Sequence, residues 1–271
     1  MKRIITLFAA LAALQMTAYG WGRIGHATIA QIAENHLTPK AKKLVTKYLN
    51  GASIIEYASY PDDYRQTHTF DLGFDPTNSP RVVVWGHSFQ ANADGSLYHG
   101  ERKGTEYVKN CTGRIAAVID DFAKNHKIMS DSARLVSLAF IVHIVGDIHC
   151  PQHVRYEDEP TSGGYMVRFR NKDISLHAYW DAECLMRYHR WGFSDLAYLL
   201  DRHDKKTIAQ LSQGDIYTWA EETARDSRYT VAVKEGDTIT TDMSNRDIQH
   251  AQRQLCRAGY RLAKLLNDIL K

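Results

Sequence analysis

The chain has few cysteines, no Cys-x-x-Cys pair, no internal repeat and no low-complexity stretch. Its four cysteines, Cys111, Cys150, Cys184 and Cys256, stand far apart. That spacing argues against a zinc finger built on paired thiolates and selects no disulfide pairing. A surplus of one charge sign is also missing. Lys and Arg total 34 against 31 Asp and Glu in 271 residues, a net of only +3. So even a balance offers no broad electrostatic footprint for duplex nucleic acid. The apolar run from Ile4 to Leu14 is too short to span a bilayer. With Lys2 and Arg3 before it and the small residues Ala18 and Gly20 after it, residues 1–20 read as a secretory signal cleaved after Gly20. An uncleaved anchor is the alternative. Cleavage makes Trp21 the mature N-terminus and leaves 32 basic residues against 31 acidic ones. The expectation is one domain over residues 21–271, secreted or periplasmic, with no membrane association once the signal is gone. Oligomeric state is not legible.

Histidine is abundant, at 13. Helical periodicity dominates, and predicts helices over 26–36, 39–48, 109–126, 132–148, 176–189, 204–211, 216–224 and 247–270. Thr38 and Pro39 suit an N-cap and first helical position, and Asp131 is a candidate cap for 132–148. The segment 163–172 reads as a strand and turn of a short hairpin. Residues 59–104 read as a long irregular loop, a kind that often carries function. The fold class expected is all-α, a single mostly helical domain with a small β-hairpin.

One stretch is at odds with a simple core. FIVHIVGDIHCPQH, residues 140–153, is apolar enough to be buried yet carries His143, Asp147, His149 and His153. His143 and Asp147 are four residues apart, so on a helix they share a face. His177 and Asp181 repeat the spacing in LHAYWD. One such pair is most simply a buried hydrogen bond. Two pairs, with His153 and His26 besides, would be costly to bury without a multivalent cation, and imidazole and carboxylate are both good zinc ligands. A third cluster, YPDDYR at 60–65, precedes WGHSF at 85–89. On its own an acidic turn beside an arginine is an ordinary surface ion pair.

Together, WGRIGH, SYPDDYR, HIVGDIHCPQH and LHAYWD stand in the order and approximate spacing of one family. The chain resembles the zinc-dependent S1/P1 nucleases, whose fold is related to that of zinc-dependent phospholipase C. The resemblance spans Trp21 to about Asp181. It implies a mostly helical fold with three Zn2+ in a cleft. The first ion would be held by Asp62, His87, His143 and Asp147. The second would be held by His153, His177 and Asp181. The third would take the α-amine and carbonyl of Trp21, with His26 and a bridging Asp147. Arg65 matches the family's phosphate-contacting arginine.

Asp63 competes with Asp62, but the family's aspartate lies three residues before the arginine, which selects Asp62. His68 competes with His87, and Ser88 stands where an aromatic residue is expected, with Phe89 one place later. Tyr60 replaces a tryptophan. His149 has no ligand counterpart and reads as a structural neighbour. The implied activity is hydrolysis of single-stranded DNA or RNA to 5′-phosphate products, often with 3′-nucleotidase activity. Phosphodiesters resist hydrolysis because a nucleophile must approach an anion, and bound zinc answers that by acidifying water and neutralising charge. A phospholipase C and a non-catalytic exported metal-binding protein are the rival readings.

Overall fold

A computed structural model describes residues 21–67, 88–98, 111–159, 162–186 and 191–271. The longest helix, α11 (Thr241–Ile269), lies along the first, α1 (Arg23–Asn35). On α11, Ala251, Leu255, Ala258, Leu262 and Leu266 are buried at three- and four-residue intervals, which makes one apolar stripe. On α1, Ile29, Ala30, Ile32 and Ala33 are buried in turn. The two helices approach closely at Gly259, where a Cβ would lie 2.6 Å from the Ile32 side chain.

The middle of the domain is α6 (Asp131–Asp147), buried without a break from Val136 to Asp147. A helix that is apolar all round belongs in a core, and the short or flanking helices α2 (Pro39–Tyr48), α3 (Ile54–Tyr57), α4 (Tyr60–Thr67) and α5 (Cys111–Asn125) all pack on it. Its cap is Ser130, whose hydroxyl accepts from Ala133 N, and not Asp131, which occupies the first turn. The Thr38 cap and Pro39 start of α2 are as expected.

Two small sheets complete the site's surroundings. β1 (Phe89–Ala91) pairs in parallel with β2 (Val154–Tyr156), Phe89 opposite Val154. β3 (Met166–Phe169) and β4 (Lys172–Ser175) form the antiparallel hairpin, turning at Arg170 with φ of 55°. The helix expected over 176–189 is instead a single turn, α7 (Leu176–Ala178), running into a π turn at Tyr179–Glu183. There Cys184 N donates to Tyr179 O at 2.9 Å, a ring one residue wider than an α-helical one. Residues 187–190 lie outside the described residues. Three more helices follow: α8 (Phe193–Leu200), α9 (Lys205–Leu211) and α10 (Ile216–Ser227). Periodicity misses α8, α3 and the parallel pair, and starts α11 too late, because its first turns are polar. The segment 59–104 is not all loop: it holds α4 and β1. No described helix is long and apolar enough to cross a membrane.

Candidate metal centre

The C-terminal end of α6 supplies the first two groups. His143 and Asp147 face the same way, with Nε2 3.1 Å from Oδ2. The Ala58 carbonyl, at 2.8 Å, accepts from His143 Nδ1. That bond places a proton on Nδ1, so Nε2, which faces the carboxylates, is the nitrogen available to a metal. Asp62 from α4 brings Oδ1 to 3.5 Å from the same nitrogen. From α1, His26 stacks on His143 with centroids 4.1 Å apart and places Nε2 3.3 Å from Asp147 Oδ1. Both Nε2 atoms are buried and, among the described residues, have no polar neighbours but these carboxylates, at distances or angles short of a well-formed hydrogen bond. Two buried imidazole nitrogens beside two carboxylates are a donor set suited to a cation.

The chain then turns at Pro151, and a 3-10 turn carries His153 back toward Asp147, with Nδ1 3.5 Å from Oδ1. α7 and the π turn bring in His177 and Asp181, 3.3 Å apart through Nε2 and Oδ2. The His153 and His177 rings lie 5.2 Å apart. Cys150 Sγ points its weak donor at Asp181 Oδ1, 3.8 Å away. Two groups of donor atoms result, each within 4.8 Å: His26, Asp62 and His143, and Cys150, His153 and Asp181. Asp147, fully buried, lies against both. All these side chains are buried.

The ionisation pattern is that of a site short of positive charge. Burial raises the Asp181 pKa well above the carboxylate range, and the carboxylates of Asp147 and Asp62 add to it. Burial disfavours the His143 imidazolium, but Asp147 and Asp62 outweigh it and lift its pKa well above the usual value. Asp147 resists burial through His143 and His153, which hold it well below the usual value. His26 is lowered by burial and by His143. A divalent ion among these groups reverses the balance: it replaces the proton on imidazole and lets each carboxylate ionise.

The N-terminal residues of the domain dock on the same ground. Trp21 is fully buried, and Gly22 N donates to the Asp181 carbonyl at 2.9 Å. Asp62 and Asp63 part company: Asp62 is buried in the cluster, while Asp63 pairs with Arg23 on the surface at 2.6 Å. Arg65 lies on α4, but its side chain, with His68, Trp85 and His87, falls outside the described residues. Phe89 is buried in β1, part of the core. His149 belongs to a different network. Its Nδ1 meets the Val145 carbonyl and its Nε2 accepts from Arg261, which also bonds Glu222 and the Leu211 carbonyl. Burial and then Arg261 hold its pKa well below the usual value, so it stays neutral. Cys150 is the one member of the donor groups that the sequence reading did not single out. Its place between His149 and Pro151 was the available signal.

Fold and donors define a helical protein with a buried carboxylate–imidazole cluster suited to divalent metal. The sequence profile of the S1/P1 nuclease family matches residues 21–271, and the chain belongs to that family. It is 27% identical to nuclease S1 of Aspergillus oryzae over 250 residues, 90% of this chain and 78% of the relative. It is 24% identical to endonuclease 2 of Arabidopsis thaliana over 284 residues, 98% and 95% of the two chains. To nuclease P1 of Penicillium citrinum it is 23% identical over 282 residues, 92% and 97%.

The contact between α1 and α6 depends on Gly146, where a Cβ would stand 2.9 Å from His26 Nδ1. Gly146→Ala is expected to keep the helical content, since alanine favours the helix, while pushing the His26 ring off Asp147. Metal affinity should fall about 10–100-fold, as when a ligand's support is lost. Circular dichroism together with competition against a zinc chelator reads both effects.

Proposed function

We propose that this chain is an exported zinc-dependent phosphodiesterase that hydrolyses single-stranded DNA and RNA to 5′-phosphate products and removes the phosphate from 3′-nucleotides. The juxtaposition of two donor groups around one buried carboxylate, Asp147, carries this reading. The matched relatives are nucleases and endonucleases, which favours a nucleic-acid phosphodiester over a lipid one.

Imidazole nitrogen with carboxylate oxygen suits zinc. In our assignment Asp62, His87, His143 and Asp147 hold one ion, and His153, His177 and Asp181 a second. The Trp21 amine and carbonyl, His26 and Asp147 hold a third. Zinc at these positions supplies positive charge to a phosphate and lowers the pKa of water. The protein's own groups do the rest. Asp147 offers an oxygen to each neighbouring imidazole group and fixes their separation. The Ala58 carbonyl keeps His143 in the ligating tautomer. Arg65 offers a planar fork of donors to non-bridging phosphate oxygens. The near-neutral charge supports a single-stranded substrate, bound locally and not by a broad basic face.

One activity panel tests this reading: single-stranded DNA, duplex DNA, RNA, a 3′-nucleotide and phosphatidylcholine, each with and without chelator. Single strands should be cut faster than duplex, with 5′-phosphate ends, and chelation should abolish it. Release of phosphocholine alone would transfer the argument to a phospholipase.

Asp147 touches both donor groups, whereas Asp63 pairs with Arg23 outside them. Asp147→Ala should therefore cost at least roughly a thousandfold in kcat/KM, about 4 kcal/mol of barrier, and Asp63→Ala little. Equal and mild losses would contradict the bridging role.

The third ion ties export to activity. An amide nitrogen is a poor zinc ligand, while a free α-amine, with a pKa of about 8, yields its proton to zinc near neutrality. Trp21 gains that amine only when residues 1–20 are removed. A mature chain with one extra glycine before Trp21 should fold, lose one zinc of three by elemental analysis, and lose most activity. Full zinc content in the extended chain would exclude the amine as a ligand.

A further inference from the structure

Arg155 is the second residue after His153 and the middle of β2. It is half-buried, with Val154 and Tyr156 on either side in the core. Most arginines of the described surface have an acidic neighbour: Arg228 with Asp158, Arg257 with Asp226, Arg225 with Glu221. Among the described residues none offers Arg155 a carboxylate, and no carbonyl accepts from its guanidinium. Yet its position is defined. A carbon placed on Gly163 would lie 3.2 Å from Arg155 Nη1, 3.2 Å from Gln152 Oε1 and 3.3 Å from His177 Nδ1. The guanidinium therefore flanks the back of the His177 ring, whose other nitrogen faces Asp181. Gly163 packs close against all three, so a larger side chain there would press on the guanidinium and on the ring.

A permanent cation partly withdrawn from water, with no anion of the described residues beside it, is unfavourable unless an anion arrives from outside. The anion a nuclease brings to this place is phosphate. We propose that Arg155 is a substrate-binding residue that takes the non-bridging oxygens of a substrate phosphate on the His153–His177–Asp181 side of the centre, and this rests on the nuclease reading above. Its bidentate fork suits two oxygens of one phosphorus. The phosphate is either the terminal one of a 3′-nucleotide or an internal one of a strand. A dianionic terminal phosphate gains more from a fixed cation than a singly charged diester does.

The test uses the full mature, zinc-loaded protein and the variants Arg155→Gln and Arg155→Lys. Zinc content and thermal melting are checked first. Inorganic phosphate binding is measured by calorimetry, and KM and kcat on adenosine 3′-monophosphate and on single-stranded DNA. With Arg155→Gln, phosphate should bind at least tenfold more weakly at unchanged zinc content. KM should rise about tenfold with kcat changed less, and Arg155→Lys should fall between the two. A larger effect on the mononucleotide assigns the terminal phosphate, and an equal or larger effect on DNA assigns an internal one. Unchanged phosphate affinity in both variants would overturn the proposal, as would loss of binding that merely follows loss of zinc. If the wild-type protein cleaves neither substrate, the nuclease reading fails instead. Phosphate affinity still reports on Arg155 in that case.

Discussion

The burial of Asp147 is the constraint on which the rest of this structure turns. Its carboxylate is fully buried and lies within 3.5 Å of nitrogens from His26, His143 and His153. A charge so placed is tolerated only if its neighbours compensate it. The neighbours come from α1, from α6 itself and from the turn after it, so the carboxylate ties together segments far apart in sequence. The adjoining Asp181 shows the opposite response to the same field. With Asp147 and Asp62 near and burial against it, its pKa rises, where that of Asp147 falls. A divalent cation among these groups would favour the charged form of both carboxylates.

The scaffold makes that arrangement possible by letting helices approach where side chains would normally hold them apart. At Gly259 the longest helix presses onto Ile32, which fixes α1 against α11. At Gly146 the same α1 meets α6, and His26 fits over the bare backbone. The first contact positions the helix and the second uses that position. His149 has a part in this although it reaches no donor of the cluster. Neutral and bonded to Arg261 on α11, it locks the end of α6 to the outer layer of the domain.

The sequence exposed local relations and hid the distant ones. His143 with Asp147, and His177 with Asp181, were legible because four-residue spacing on a helix is a statement about one face. The cap at Thr38 was equally local. Nothing local states that His26 stacks on His143, or that His153 and His177 come within 5.2 Å. Those follow from packing, and only the family resemblance gave advance notice of them. The π turn at Tyr179–Glu183 was also hidden, since its extra residue leaves the pattern of LHAYWD unchanged. α8 escaped because its N-cap, Gly192, has no side chain to mark the start of a helix.

A final question is how a chain with almost no net charge attracts a polyanion. The answer lies in where charge is placed. Without metal, the buried carboxylates of Asp62 and Asp147 offer a phosphate nothing to bind. In our assignment three divalent ions would outweigh the three carboxylates of Asp62, Asp147 and Asp181 and make the loaded centre locally positive, whereas the side chains of the protein as a whole are nearly balanced. The attraction is then short in range, because at physiological ionic strength it fades over about 8 Å. Duplex DNA, whose rigid form keeps its phosphates on a wide cylinder, gains little from so narrow a source. A flexible single strand can bring one phosphate after another down to it. In this assignment metal loading would decide both whether the centre can act and which shape of nucleic acid can reach it.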